Sequence, residues 1–166
     1  MVKIDLSEFK NKNDLIKSIS NYKFEFGVLT KDEFKSVKVS ILNPDESVTE
    51  AFMTVGQIMY LTEHGTIMLP ARPILSRILP QIEKRIETIL EDIIDGVFSF
   101  NWNKSDIDLR LKLFENETNL FLQNKIREMI ASNSYLSNLV DEKSDNTYLL
   151  DLNQLKNYIH FKIIVN

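Results

Sequence analysis

From Leu75 to Val97 the chain places Leu75, Leu79, Ile82, Ile86, Ile89, Ile93 and Val97 at spacings of three or four. At 100° per residue these side chains fall within about 40° either side of one line. The pattern predicts a single long helix from Pro73 to Phe98, roughly 39 Å at 1.5 Å per residue. Pro80 lies inside it and removes one backbone donor, so the first two turns are expected to kink or loosen. Ile74, Ile78, Leu90, Ile94 and Phe98 lie off the main stripe. The apolar band is therefore wider than one packing surface covers. A fold built on this rod must give it at least two surfaces, from its own chain or from a neighbour.

The residues before the rod carry sharp local signals. Thr54 with Gln57 fits a capping box, and Met53 with Ile58 fits the hydrophobic staple that accompanies one. Gly65 is a helix stop. These predict a short helix over 55–64, closed by Glu63-His64-Gly65-Thr66. Pro70-Ala71-Arg72-Pro73 then forms an extended bridge, because a residue before proline is pushed out of the α region. Pro73 suits the first position of the long helix. Arg72, held on this stiffened bridge, presents a planar fork suited to a bidentate contact. Two roles stay open for it: a clamp between the two helices, or a contact to a neighbouring subunit.

The rest of the chain reads as mixed helix and strand. Leu6, Phe9, Leu15, Ile16 and Ile19 suit a short helix with Asn13 near its start. Residues 23–29 read as a strand, and so do 36–42, where Val37, Val39 and Ile41 alternate with Lys38 and Ser40. Asn43-Pro44-Asp45-Glu46 is a turn. The stretch from Gly96 to Lys104, with Phe98, Phe100 and Trp102, is a break. Ser105 with Asp108 is a capping signature for a second long helix bearing Ile107, Leu111, Phe114, Thr118, Phe121, Leu122, Ile126 and Met129 on its inner face. Ser132-Asn133-Ser134 ends that helix. Residues 141–147 read as a loop, Leu150 to Asn157 as a turn or short helix, and Tyr158 to Val165 as a last strand. The expected division is an N-terminal extension or short helix over 1–22 and one domain over 23–166.

Chemistry is thinly represented. With no cysteine, disulfides and thiolate sites are out. Only His64 and His160 are present, and neither stands at metal-helix spacing from a second ligand. Four glycines include no phosphate-cradling motif. Glu83, Glu87 and Glu91 repeat along a wet helix face, which is solvation rather than an acid–base pair. Catalysis, a metal and a cofactor are therefore not expected. The formal charge of −4 comes from 20 cations interspersed with 24 acids, so no nucleic-acid grip is expected. No apolar run reaches membrane-spanning length, and Met1 to Lys12 lacks a signal-peptide pattern.

Two blocks carry a resemblance. Met53-Thr54-Val55-Gly56-Gln57-Ile58-Met59-Tyr60-Leu61-Thr62-Glu63-His64-Gly65-Thr66, then Pro70-Ala71-Arg72-Pro73-Ile74-Leu75, resembles the neck and tail-completion proteins of long-tailed bacteriophages. In that family a short helix ends in Glu-aromatic-Gly-Thr, and Pro-Ala-Arg-Pro-Phe-Leu opens a long one. Leu149-Leu150-Asp151-Leu152-Asn153-Gln154-Leu155, followed by a strand, is similar to the family's Leu-Ile-Asp-Thr-Gly-Gln-Leu. Ile74, His64 and Leu152-Asn153 depart from the family pattern. The likeness covers about residues 23–166.

The resemblance implies an α+β domain, an antiparallel sheet packed against one short and two long helices, like tail-terminator folds. It implies a non-enzymatic virion protein at the head–tail junction, assembled as a homo-oligomeric ring, a hexamer. Its neighbours would be connector, terminator or tail-tube proteins. DNA would only pass through the channel, and no membrane would be involved. The protein would reside in the virion, and in the host cytoplasm during assembly. Gly65, Thr66, Pro70, Arg72, Pro73, Ile74 and Leu75 would form the junction or subunit contact. Leu79, Ile82, Ile86, Ile89, Ile93 and Val97 would form the packing seam. Asp151, Asn153 and Leu155 would mark the C-terminal motif. A different class of role, a non-virion assembly chaperone or helical adaptor, fits the same features. A small nuclease or hydrolase fits them poorly.

Overall fold

Alternation of Val37 and Val39 with polar neighbours makes a half-buried strand, and it is the central strand of the larger of two sheets. In a computed structural model, which describes residues 7–28, 30–43, 45–66, 71, 73–131, 149–150 and 157–165, the elements run as follows. Helix α1 spans Ser7–Ser18 and ends in a 3₁₀ turn. Strand β1 spans Tyr22–Val28 and a single helical turn, α2, spans Thr30–Glu33. Strands β2, Ser36–Leu42, and β3, Val48–Thr54, precede helix α3, Val55–His64. The long helices α4, Leu75–Ser99, and α5, Lys104–Ala131, follow. Strands β4, Leu149–Leu150, and β5, Ile159–Val165, come last. Strand β2 pairs antiparallel with β3, from Ser36 opposite Thr54 to Leu42 opposite Val48, and with β4 on its other side. Strands β1 and β5 form a second, two-stranded antiparallel sheet. The chain is α+β.

Residue contacts divide the chain into two compact units. One comprises 1–25, 81–118 and 161–166. Its core holds Tyr22, Ile82, Ile89, Ile93, Val97, Ile107, Leu111 and Phe114 around Phe161. The Phe161 ring meets Phe114 edge-on at 5.5 Å and stacks on Phe24 at 6.1 Å, within the range that favours aromatic pairs. The other comprises 26–80 and 119–160. There Val37, Val39, Val55, Ile58, Met59, Ile74, Ile78, Leu122, Ile126 and Ile159 are buried.

Several elements depart from the sequence reading. Helix α1 starts at Ser7, so Asn13 lies in its middle rather than near its start. The alternation of β3 is hidden by exposed Val48, Thr49, Glu50 and Phe52; pairing to β2, not its own pattern, makes it a strand. Leu150 is in β4 because it completes a ladder opposite Ile41. The turn between β2 and β3 falls where expected. There Asp45 accepts hydrogen bonds from the Ser47 hydroxyl and amide at 2.6 and 3.0 Å, which hold its carboxyl below the usual 3.8. Residues 141–147 and Ser132-Asn133-Ser134 lie outside the described residues.

The inner line of α4 also differs. Ile82, Ile89, Ile93 and Val97 are buried and Ile86 is half-buried, but Leu79 is 42% exposed. The first two turns bury Ile74 and Ile78 instead of Leu75 and Leu79. The buried residues are mostly four apart. Each step of four overshoots a full turn by roughly 40°, so the buried line creeps round the rod rather than running straight. The helix continues unbroken through Pro80, which is exposed, and through Gly96 to Ser99. The break expected from Gly96 thus begins only after Ser99. On α5, the predicted face from Ile107 to Ile126 is buried, with Phe121 and Met129 half-buried.

Candidate functional site

The α3–α4 corner is built from local chemistry at both of its ends. Thr54 caps α3 reciprocally: its hydroxyl accepts from the Gln57 amide at 3.2 Å, and the Gln57 side chain accepts from the Thr54 amide at 2.9 Å. The C-terminal stop is Gly65, at φ 67°, whose N–H donates to the Leu61 carbonyl at 2.8 Å. A side chain there would be strained, so glycine is required.

Glu63, two residues before that stop, reaches the first turn of α4. Its carboxylate accepts from the amides of Ile74 at 2.7 Å, Leu75 at 2.6 Å and Ser76 at 3.3 Å, and from the Ser76 hydroxyl at 2.6 Å. Helix N-termini leave their first N–H groups without intrahelical partners, and the macrodipole there favours negative charge. One carboxylate meets both needs and fixes the angle between two helices. Ile74 is buried and Leu75 half-buried beside it, while α4 begins at Leu75 rather than at Pro73. Pro70 and Arg72 lie outside the described residues, as do Asp151, Asn153 and Leu155. Between the described ends of α3 and α4 the contact is made by Glu63; the two roles left open for Arg72, a clamp or a subunit contact, fall outside the described residues. A signal was present: an acid in the last turn of one helix, just before a short link to the next.

The α4–α5 turn has its own logic. Asn101 adopts φ 55°, a conformation asparagine tolerates better than most residues. The Gly96 carbonyl accepts from both Phe100 and Trp102 amides, at 3.1 and 3.0 Å. The Trp102 indole lies on Gly96 so closely that an added Cβ would meet its ring carbons at 2.3 Å. Asn103, not Ser105, caps α5. Its side-chain oxygen accepts from the Ser105 and Asp106 amides at 2.7 and 3.3 Å, and Asp106 returns a bond to the Asn103 amide at 2.9 Å. The capping box is shifted two residues from the Ser105–Asp108 pair. Lys12 of α1 reaches the same turn, donating to Asn101 Oδ1 at 2.7 Å.

Two further features were not legible in the sequence. The Tyr22 hydroxyl bonds Asp108 and Lys104, and Lys104 pairs with Asp108 at 3.0 Å; this ties β1 to α5. A groove of about 570 Å³ is lined by Glu33, Phe34, Met53, Thr54, Gly56, Gln57, Tyr60 and Leu61.

No family model, curated protein or solved structure matches this chain. Among the described residues, no group of three His, Asp or Glu is placed to hold a metal ion, and no helix is long and apolar enough to cross a membrane. His64 is exposed and packs against Tyr60 at 4.7 Å. The ordered, costly features are turns and helix ends. Among the described residues they fix where the helices begin and end.

Proposed function

We propose that this chain is a structural virion protein at the head–tail junction of a tailed phage, a neck or tail-completion component that assembles as a ring joining the tail to the connector. The supporting observation is the apolar surface left on the long helices. Leu79 and Ile94 on α4, and Leu109 and Leu113 on α5, are exposed although large and aliphatic. A monomer leaves about half of each of these side chains in water, whereas a heterologous contact repeated around a ring would cover them in every copy. The tail-terminator-like reading of the α+β fold and the resemblance of the Gly65–Leu75 block support the same role. In it DNA passes through without specific binding, and the protein resides in the virion and, during assembly, in the host cytoplasm.

The test is sedimentation velocity of the purified protein, alone and mixed with connector and tail-tube proteins, together with mass spectrometry of purified particles. The expected result is a ring-sized species, a hexamer, that is present in particles. Leu79→Asp should abolish the ring while leaving the unfolding midpoint in place. A monomer at all concentrations, absent from particles, sinks the proposal. A protein needed for particle formation yet absent from the finished particle is instead an assembly chaperone or adaptor.

A further inference from the structure

We propose that the free edge of β3, with the groove at its C-terminal end, takes up an extended cationic segment of another protein as an added strand. The inference is independent of the virion reading and survives its failure.

The backbone supplies the first observation. Among the described residues, strand β3 is an edge strand whose one neighbour is β2. The bonds from the Asn43 amide to the Ser47 carbonyl and from the Val55 amide to the Lys35 carbonyl bracket the β2–β3 ladder. By antiparallel alternation, Thr49, Ala51 and Met53 then bond toward β2, and the backbone groups of Val48, Glu50 and Phe52 point outward. Those outward groups form a ready template for another chain.

The second observation is that, among the described residues, this edge is lightly defended, Glu50 being its one charge. Edges are normally blunted by lysine, proline or a covering group. Val48–Thr54 contains neither residue, and it displays Phe52 at 76% exposure. Strand β5 offers the contrast: its Ile163 amide is covered by the Glu115 carboxylate at 2.9 Å.

The groove and its charge name the occupant. Phe34, Met53, Tyr60 and Leu61 line a space large enough for a bulky side chain, and Phe34 and Tyr60 are mostly exposed. Beside Thr54 and Gln57, the one charged residue of the lining is Glu33. No lysine or arginine occurs between Lys38 and Arg72, whereas Asp45, Glu46 and Glu50 do, besides the Glu63 spent on the α4 N-terminus. Lys38 offsets Glu50 at 2.6 Å, and Lys35 lies over the Tyr158 ring at 5.1 Å. An added strand of apolar residues alternating with lysine or arginine matches this surface. A second copy of β3 matches it less well, because antiparallel self-pairing sets Glu50 opposite Glu50 and adds no cation beyond the Lys38 already paired with each.

The probe is a fluorescein-labelled Lys-Val-Lys-Phe-Lys-Val-Lys peptide, read by anisotropy and by amide exchange in NMR. Saturable binding is expected, with the Val48, Glu50 and Phe52 amides protected. The same peptide with alternate backbone nitrogens methylated keeps its charge but loses donors, and should bind about tenfold more weakly. Glu50→Pro removes an outward donor, and Tyr60→Ala opens the groove wall. Each should weaken binding several-fold with the unfolding midpoint retained. Equal binding of the methylated peptide would reduce the effect to charge attraction and overturn the proposal. So would unprotected edge amides in the complex. Edge amides already protected in a peptide-free dimer would assign the edge to a second copy instead.

Discussion

At its N-terminal end α4 is held by a carboxylate from eleven residues upstream in the chain, and at its C-terminal end by an indole lying on a glycine. The first closure is electrostatic and directional. Glu63 aligns four donors, and the angle between α3 and α4 follows from those bonds. The second is steric: Trp102 fits only because Gly96 has no side chain, and Asn101 supplies the positive φ that lets the chain reverse. A carboxylate cap tolerates small shifts and depends on charge. A ring on a glycine tolerates no added atom and is indifferent to charge. The same helix is thus terminated by two mechanisms that mutation can separate.

Four measurements of urea unfolding separate them. Ile78→Ala, just inside the N-terminal end, should cost about 2–5 kcal/mol, whereas Leu79→Ala should cost under about 1. Comparable losses would mean that the buried line of α4 runs straight. Gly96→Ala should cost about 1–3 kcal/mol by overpacking the indole. In a Trp102→Ala background the same change should become neutral or gain up to about 1 kcal/mol, since alanine outranks glycine inside a helix. Glu63→Ala should cost about 1–2 kcal/mol, and Glu63→Gln less, because an amide oxygen still accepts but carries no charge to the helix dipole. If Glu63→Gln costs as much as Glu63→Ala, charge is what the corner needs. Smallest of the four, Asn103→Ala should cost about 1 kcal/mol while Ser105→Ala stays within about 0.5. A reversed order would restore Ser105 as the cap.

The two capping boxes show how far local reading extends. Thr54 and Gln57 stood alone as a pair, flanked by Met53 and Ile58, and the helix over 55–64 follows its expected bounds. At α5 the sequence reading took Ser105 with Asp108, and the structure uses Asn103 with Asp106. Nothing within a few residues chose between them. The choice came from the Gly96–Trp102 packing, which sets where the chain re-enters a helix. Glu63 is a similar case: its role depends on the distant amides of Ile74 to Ser76, which a reading of its own helix does not bring near. Strand β3 was illegible because only one face of it, and only in part, is covered.

What the amino-acid order determined alone was periodicity and punctuation: the rods, β2 and its turn, the stop at Gly65 and the mixture of helix and strand. Those follow from interactions within a few residues, where geometry is fixed by the backbone itself. The tertiary structure decided which side of each rod is wet, which cap of two is used, which acid spans a corner and which sheet edge stays open. Each of these is a contest between near-equal local options, settled by groups far away in sequence that arrive only when the chain has folded.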